Sequence, residues 1–197
     1  DGLSRVPSIR LVTCKQEPNV SLMADAYGRL TGKPGVCVVT AGPGGINSMA
    51  GVAQAYGAAS PMVHIGGAVP LKADMEAFHG VDDPAAVNEM FKHITKWSAR
   101  VERITDIPEV MARAFHIARS GRPGPVHVEI PRLSDYSEHL LQETPAPIPA
   151  YRTVPVVAAR PDARDVERYA TQLMAASSPV IAAGKGVIRQ GAMRELS

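Results

Sequence analysis

Between Pro34 and Leu71 the chain carries no Asp, Glu, Lys or Arg, and beside Cys37 and Tyr56 its one titratable side chain there is His64. No element of such a segment can turn a charged face to water. A helix without a charged face is enclosed by other structure, and a continuous β-branched run is the pattern of a strand covered on both sides of a parallel sheet. The segment supplies both. Val36–Thr40 reads as a strand, Ala41-Gly42-Pro43-Gly44-Gly45 as a glycine turn, and residues 46–58, largely Gly, Ala and Ser, as a helix. Ser60-Pro61 turns the chain into a second strand, Met62–Ile65. The result is a β-turn-α-β unit. One side of a helix in a domain of this size ordinarily meets solvent. Helix 46–58 is therefore expected to pack against a second subunit or domain, giving a homodimer or tetramer.

The flanking sequence continues the alternation. Residues 9–13 read as a short strand, and Pro18 opens a helix. Val20, Met23, Ala24, Tyr27 and Leu30 of that helix share one apolar face, and Gly32 is placed to stop it. A long irregular stretch runs from about Gly66 to Asn88. Residues 96–103 suggest a strand, Pro108 starts a helix to about Ser120, and Val126–Ile130 is a further strand. Strands alternating with helices predict an α/β fold, a mainly parallel sheet sandwiched by helices. Repeated prolines then mark residues 136–161 as a linker. Beyond it come a helix at 162–176, a strand at Val180–Ala183, Gly184 and Gly186, and the opening of another helix. The expected organisation is a domain over 1–135, the linker, and the beginning of a second α/β domain over 162–197. Since the last residues read as the first turns of a helix, the chain is expected to be a piece of a longer protein.

Several function classes are disfavoured. The formal net charge is +2, with basic residues spread among acids, whereas a nucleic-acid groove needs them clustered. Every apolar run is interrupted by Gly, Pro or Ser, so no membrane span is expected. Cys14 and Cys37 make neither a disulfide framework nor a CxxC pair and read as small buried hydrophobes in a reducing cytoplasm. The six histidines form no HxxxH or HExxH pair, so no metal site is implied. A nucleophile elbow is also lacking.

Three places can carry chemistry. Glu17 precedes Pro18 at a strand-to-helix junction, where functional groups of α/β sheets gather, though an acid at a helix N-terminus is also favoured by the macrodipole alone. Gly42, Pro43 and Gly44, with Asn47 behind them, have the strand-turn-helix form of a phosphate cradle. They lack the GxGxxG or P-loop pattern and read equally as a turn needing positive φ. His79 lies in the irregular stretch beside Phe78 and could face a cleft. A Rossmann-like nucleotide-binding module and a non-catalytic assembly domain remain alternatives. The first needs an acid at a strand end about 20 residues past the glycines, where Met62–Ile65 offers only His64.

Taken together these blocks resemble the pyrimidine-binding domain of the acetolactate synthase-like thiamine diphosphate-dependent enzymes. The blocks are Glu17 followed by MADAYGRLTGKPGVCVVTAGPGGIN at 23–47, AYGAASPMVHIGG at 55–67, ITKWSARV at 94–101 and SGRPGPVHVEIP at 120–131. The resemblance implies a 2-keto acid or related carbonyl substrate and a decarboxylase or carboligase reaction. It makes Glu17 the catalytic glutamate that hydrogen-bonds N1′ of the aminopyrimidine, a role for which it should be largely desolvated. Gly42, Pro43, Gly44 and Asn47 match the turn beside that ring, and His79 falls near the reaction centre. The diphosphate and Mg²⁺ are expected on a C-terminal domain absent from this chain, so the turn is not expected to cradle phosphate. The sequence departs from the family at Gln16, Pro18 and Gly80, which leaves the substrate open.

Overall fold

The computed structural model describes residues 3–68, 83, 85–131 and 160–196. They fall into two compact units, within 1–156 and 157–197. The first is built on a four-stranded, wholly parallel sheet of order β1-β2-β4-β3. Its strands are β1 Gly35–Val39, β2 Met62–Ala68, β3 Ser98–Arg100 and β4 Pro125–Pro131, and its helices α1 Glu17–Thr31, α2 Pro43–Ala58, α3 Ala86–Lys92 and α4 Ile107–Arg119. One core joins α1, α2 and α3 to the sheet through Ala24, Val52, Ala55, Cys37, Met62, Val87 and Phe91. The other packs Ala114 and Ala118 of α4 on Val63, Val126 and Val128. This is the expected α/β sandwich.

Phe91 is fully buried and stacks on the His127 ring at 3.9 Å. Truncating it leaves a cavity that the sheet cannot collapse into. Phe91→Ala is expected to cost ~3–5 kcal/mol, read as a lowered urea midpoint at unchanged m-value.

Helix α1 does not pack through its expected apolar face. Its buried residues are Ser21, Ala24, Asp25 and Gly28, while Met23 and Tyr27 are half open and Leu30 is 86% exposed. The reason is distance. A Cβ on Gly51 of α2 would fall 2.2 Å from Ser21 Oγ and 2.7 Å from the Leu22 backbone nitrogen. On Gly35 of β1 it would fall 2.0 Å from the Ala24 carbonyl oxygen. The helix lies too close to α2 and β1 for large side chains, so the small-residue stripe turns inward. Buried Asp25 is held by both arms of the Arg29 guanidinium, at 2.9 and 2.5 Å, a strong bidentate geometry.

Other expectations are corrected. Residues 9–13 form no strand. They are exposed and join no ladder, and without ladder hydrogen bonds an isolated extended segment has nothing to hold it. Strand β1 is not covered on both faces: Val36 and Val38 are about half exposed, because α4 packs on β4 and β2 and leaves the second face of this edge strand bare. The strand expected at 96–103 contracts to Ser98–Arg100, and α3 emerges at the end of the stretch read as irregular. Helix α2 starts at Pro43 rather than Ile46. Nor is it enclosed all round within this chain: Ile46, Asn47, Ala50, Ala53, Gln54 and Tyr56 face outward. Cys37 is buried as expected, whereas Cys14 is only half-buried.

Two cations finish the helices' C-termini, where orphan carbonyls collect. Arg122 donates to the Tyr56 and Gly57 carbonyls at the end of α2, each at 3.1 Å. Lys96 donates to the Ile117 and Ser120 carbonyls at the end of α4.

The second unit contains α5 Ala163–Ala175, α6 Lys185–Arg189 and α7 Met193–Leu196. Asp162 caps α5 by accepting from the Arg164 backbone N–H at 2.8 Å. The strand expected at Val180–Ala183 does not form; these residues are exposed, and no described strand is present in the unit to pair with them. Of the expected linker 136–161, all but residues 160–161 lies outside the described residues.

Candidate functional site

The site begins where β1 gives way to α2. Gly42 is the N-cap of α2 with φ 60° and ψ −113°, a conformation a side chain would strain. Pro43 occupies the first turn, where its missing N–H has no helical partner to lose. The expected five-residue glycine turn is thus largely helix already, and Gly44 and Gly45 are buried within its first turn. Across from it, α1 starts at Glu17, after Gln16 in an extended conformation and with Pro18 in the first turn.

These two helix starts converge. A Cβ on Gly44 would fall 2.6 Å from Thr40 Cγ2 and 3.7 Å from Glu17 Cγ. The bare glycine therefore lets the two helix starts approach each other. Asn47 Nδ2 reaches to 3.5 Å of Glu17 Oε2, the outer limit of a hydrogen bond. Glu17, Gly42, Pro43, Gly44 and Asn47 are thus assembled in one place. In this chain Glu17 is half-buried rather than largely desolvated. His79 lies outside the described residues. Among the described residues no group of three or more His, Cys, Asp and Glu could hold a metal ion, and no helix is long and apolar enough to cross a membrane.

Directly behind the turn is a polar cluster whose importance the sequence did not reveal. Ser48 Oγ donates to the Gly45 carbonyl at 2.6 Å and lies 2.7 Å from His64 Nε2. His64 Nδ1 lies 2.8 Å from His127 Nδ1. All three side chains are fully buried. Both histidines sit inside apolar strand runs and read as ordinary core or edge residues. Only the β2–β4 register, which sets His64 beside His127, discloses the pair. Nearby, Glu129 is 2% exposed and accepts from Arg100 Nη1 at 3.2 Å.

Burial governs the protonation of these groups. It pushes His64 down to about 3 and His127 well below the ordinary histidine range, where the neighbouring His64 adds to the effect. It pushes Glu129 up to about 7, against the pull of Arg100, and the Cys37 thiol up to about 12. Below pH 6.5 the unfolded histidines take up protons that the folded ones refuse, so their contribution to stability is lost as pH falls toward 3. Glu129 acts in the opposite sense: its folded carboxyl keeps its proton, so stability declines as pH rises from 4.5 to about 7. Two imidazoles act against one carboxyl. The thermal midpoint is therefore expected to fall on acidification from pH 6.5 to 5, as circular dichroism would show. A midpoint that rose over this interval would reverse the balance.

Comparisons with known proteins give the chain's relatives. Residues 1–87 match the family model described as thiamine pyrophosphate enzyme, N-terminal TPP binding domain. The "Probable acetolactate synthase large subunit" of Methanococcus aeolicus is 36% identical over 201 aligned positions, covering 100% of this chain and 32% of that protein. The acetolactate synthase large subunit of Corynebacterium glutamicum is 34% identical, covering 100% of this chain and 30% of its own length. The mitochondrial acetolactate synthase catalytic subunit of Saccharomyces cerevisiae is 33% identical, covering 95% and 28%. The chain spans about a third of the length of the curated relatives it matches. With several ordered sequence blocks, a parallel α/β sandwich and similarity along this chain pointing the same way, the chain belongs to the acetolactate synthase-like thiamine diphosphate-dependent enzyme family, whose N-terminal domain it carries.

Proposed function

We propose that this chain is the cofactor-activating part of a thiamine diphosphate-dependent 2-keto acid decarboxylase or carboligase, and that Glu17 performs the activation. The observation that carries the reading is the approach of Glu17 to the Gly42–Asn47 segment, with Gly44 3.7 Å from Glu17 Cγ when given a Cβ and Asn47 Nδ2 3.5 Å from Oε2. A carboxyl beside a side-chain-free helix start fits one end of the cofactor, a flat aminopyrimidine with a basic ring nitrogen. The described residues offer no comparable set for a diphosphate and Mg²⁺, which would be held by a C-terminal domain outside this chain.

When bound, the cofactor supplies the electron sink for bond cleavage beside the carbonyl of the substrate. The residues of this chain supply proton control and orientation. Glu17 shares a proton with N1′ of the ring. Asn47 steadies Oε2 and leaves Oε1 to face the ring nitrogen. Gly42 and Pro43 fix the direction in which α2 leaves the sheet, and Gly44 keeps the ring's place clear. A covering subunit would remove water from the half-buried carboxyl. His79, next to Phe78, is proposed to contact the substrate.

That cover would come from a second copy, giving a homodimer or tetramer. The outward face of α2 has no charged residue, and Leu22, Met23 and Tyr27 of α1 are exposed. Sedimentation of the complete protein is expected to show at least a dimer, and Tyr56→Glu on α2 is expected to shift it toward monomer.

Hydrogen exchange at C2 of the cofactor tests the functional reading. In D₂O with Mg²⁺, the complete protein is expected to exchange the C2 proton of thiamine diphosphate orders of magnitude faster than free cofactor does. Exchange at the free-cofactor rate would overturn the proposal.

A further inference from the structure

We infer that Ser48, His64 and His127 form a buried positioning relay that sets the first turn of α2, and with it the Asn47–Glu17 approach, by a fixed pattern of neutral imidazole tautomers. The inference rests on the functional reading above and adds three residues to it, none of which touches the proposed cofactor.

The direction of each hydrogen bond follows from counting protons. Ser48 has one hydroxyl proton. Its oxygen lies 2.6 Å from the Gly45 carbonyl, which can only accept, so that proton is committed there. The 2.7 Å contact to His64 Nε2 must then be donated by the imidazole. A neutral His64 protonated at Nε2 carries a lone pair at Nδ1, so the 2.8 Å contact between the two Nδ1 atoms is donated by His127. His127 is thereby the Nδ1–H tautomer. Its Nε2 is left as a buried acceptor, and that atom has no hydrogen-bond partner among the described residues. The second tautomer is thus the opposite of the first, and neither ring can change tautomer alone without placing two lone pairs or two protons face to face at the 2.8 Å contact.

The surroundings hold the pair in this state. Phe91 stacks on His127 and lies 4.7 Å from the His64 ring centroid. A Cβ on Gly66 would fall 3.0 Å from His127 Cε1, so the bare glycine leaves the ring just enough room. A core could have filled these positions with aliphatic side chains and no unsatisfied acceptor, which would cost less. What the polar chain adds is a direct tie from the middle of β2 and β4 to the carbonyl of Gly45. That carbonyl is two residues before Asn47 in the turn that packs against Glu17. Losing the tie frees the start of α2 to slide on the sheet, and the long 3.5 Å contact to Glu17 has little slack.

Two measurements on the complete protein test this. The first is independent of activity: ¹⁵N-labelled histidine NMR at neutral pH is expected to show one imidazole protonated only at Nε2 and one only at Nδ1, both slowly exchanging. Ser48→Ala is expected to erase the slow exchange of the Nε2 proton. Two Nε2–H tautomers, or rapidly exchanging rings, would overturn the relay. The second is kinetic. Ser48→Ala is expected to lower kcat about tenfold, with KM for the keto acid changed less than twofold, and Ser48→Thr, which keeps the hydroxyl, is expected to restore most of it. Ser48→Ala with full kcat and only a lowered melting temperature would reduce the cluster to a structural feature and overturn the inference. In that case a strong effect of Glu17→Gln would leave the functional reading standing; loss of both effects would remove that reading too.

Discussion

Glu17→Gln is expected to slow C2–H exchange on the bound cofactor by roughly 10²–10⁴-fold, the range for removing a positioned acid–base group. The substitution is nearly isosteric and keeps an oxygen that Asn47 can address, so the 3.5 Å approach survives in form. What it removes is the ability to exchange a proton with a ring nitrogen. Because Glu17 is half-buried and sits in the first turn of α1, losing its charge should change stability by well under the ~1 kcal/mol typical of helix-end effects. The expected pattern is therefore a collapse of exchange and turnover, a near-normal melting temperature and cofactor affinity within a few-fold of the parent. Glu17→Asp keeps the acid but draws it back by one methylene, and should fall between the two. If Glu17→Gln exchanged at the parental rate, the carboxyl would be a helix-end charge with no part in the chemistry.

How much of this was legible in the sequence depends on what kind of signal was asked for. The alternation of β-branched runs with helices placed β1, α2, β2, α4 and β4 well, because each is long enough for its period to show. The site was legible for a different reason. Glu17 and the glycine turn are both held by backbone rules, proline in the first turn and glycine at positive φ, that leave marks in the sequence. Distance-dependent features were not legible. The face of α1 was misread because hydrophobicity ranks Met23, Tyr27 and Leu30 above Ser21 and Gly28, whereas the packing distance to Gly51 and Gly35 admits only the small ones.

The same blindness hid the buried relay. His64 and His127 are 63 positions apart, and nothing in either strand's composition marks them as a pair. A polar residue in the middle of an apolar strand does carry a question, since a buried imidazole needs a partner. The register that answers it depends on two crossovers and is a property of the sheet. Residues 9–13 and Val180–Ala183 fail for the complementary reason: apolar, β-branched composition permits a strand, but a strand forms only where a neighbour offers its ladder.

Gly51→Ala should cost stability at or beyond the upper end of the ~1–3 kcal/mol usual for overpacking, although alanine is ordinarily the better helix former. The added methyl would meet Ser21 Oγ at 2.2 Å, the Leu22 nitrogen at 2.7 Å and the Ser21 carbonyl carbon at 2.8 Å. A side-chain oxygen can rotate away, but two backbone atoms cannot move unless α1 moves with them. Gly57→Ala in the same helix supplies the control. Nothing lies within 4 Å of its Cβ position, so there the helix preference should prevail and the change should be neutral or stabilising by up to ~1 kcal/mol. Adding Ser21→Ala to Gly51→Ala should recover only part of the loss, since it clears the oxygen and leaves the backbone contacts. Since α1 carries Glu17 and α2 carries Asn47, prying the helices apart at Gly51 should also lengthen the approach between those two side chains. In the complete protein Gly51→Ala is therefore expected to weaken cofactor binding as well as lower the melting temperature, while Gly57→Ala changes neither adversely. Equal melting temperatures for the two alanine variants would mean that α1 and α2 can separate freely, and that their close packing does not hold the site together.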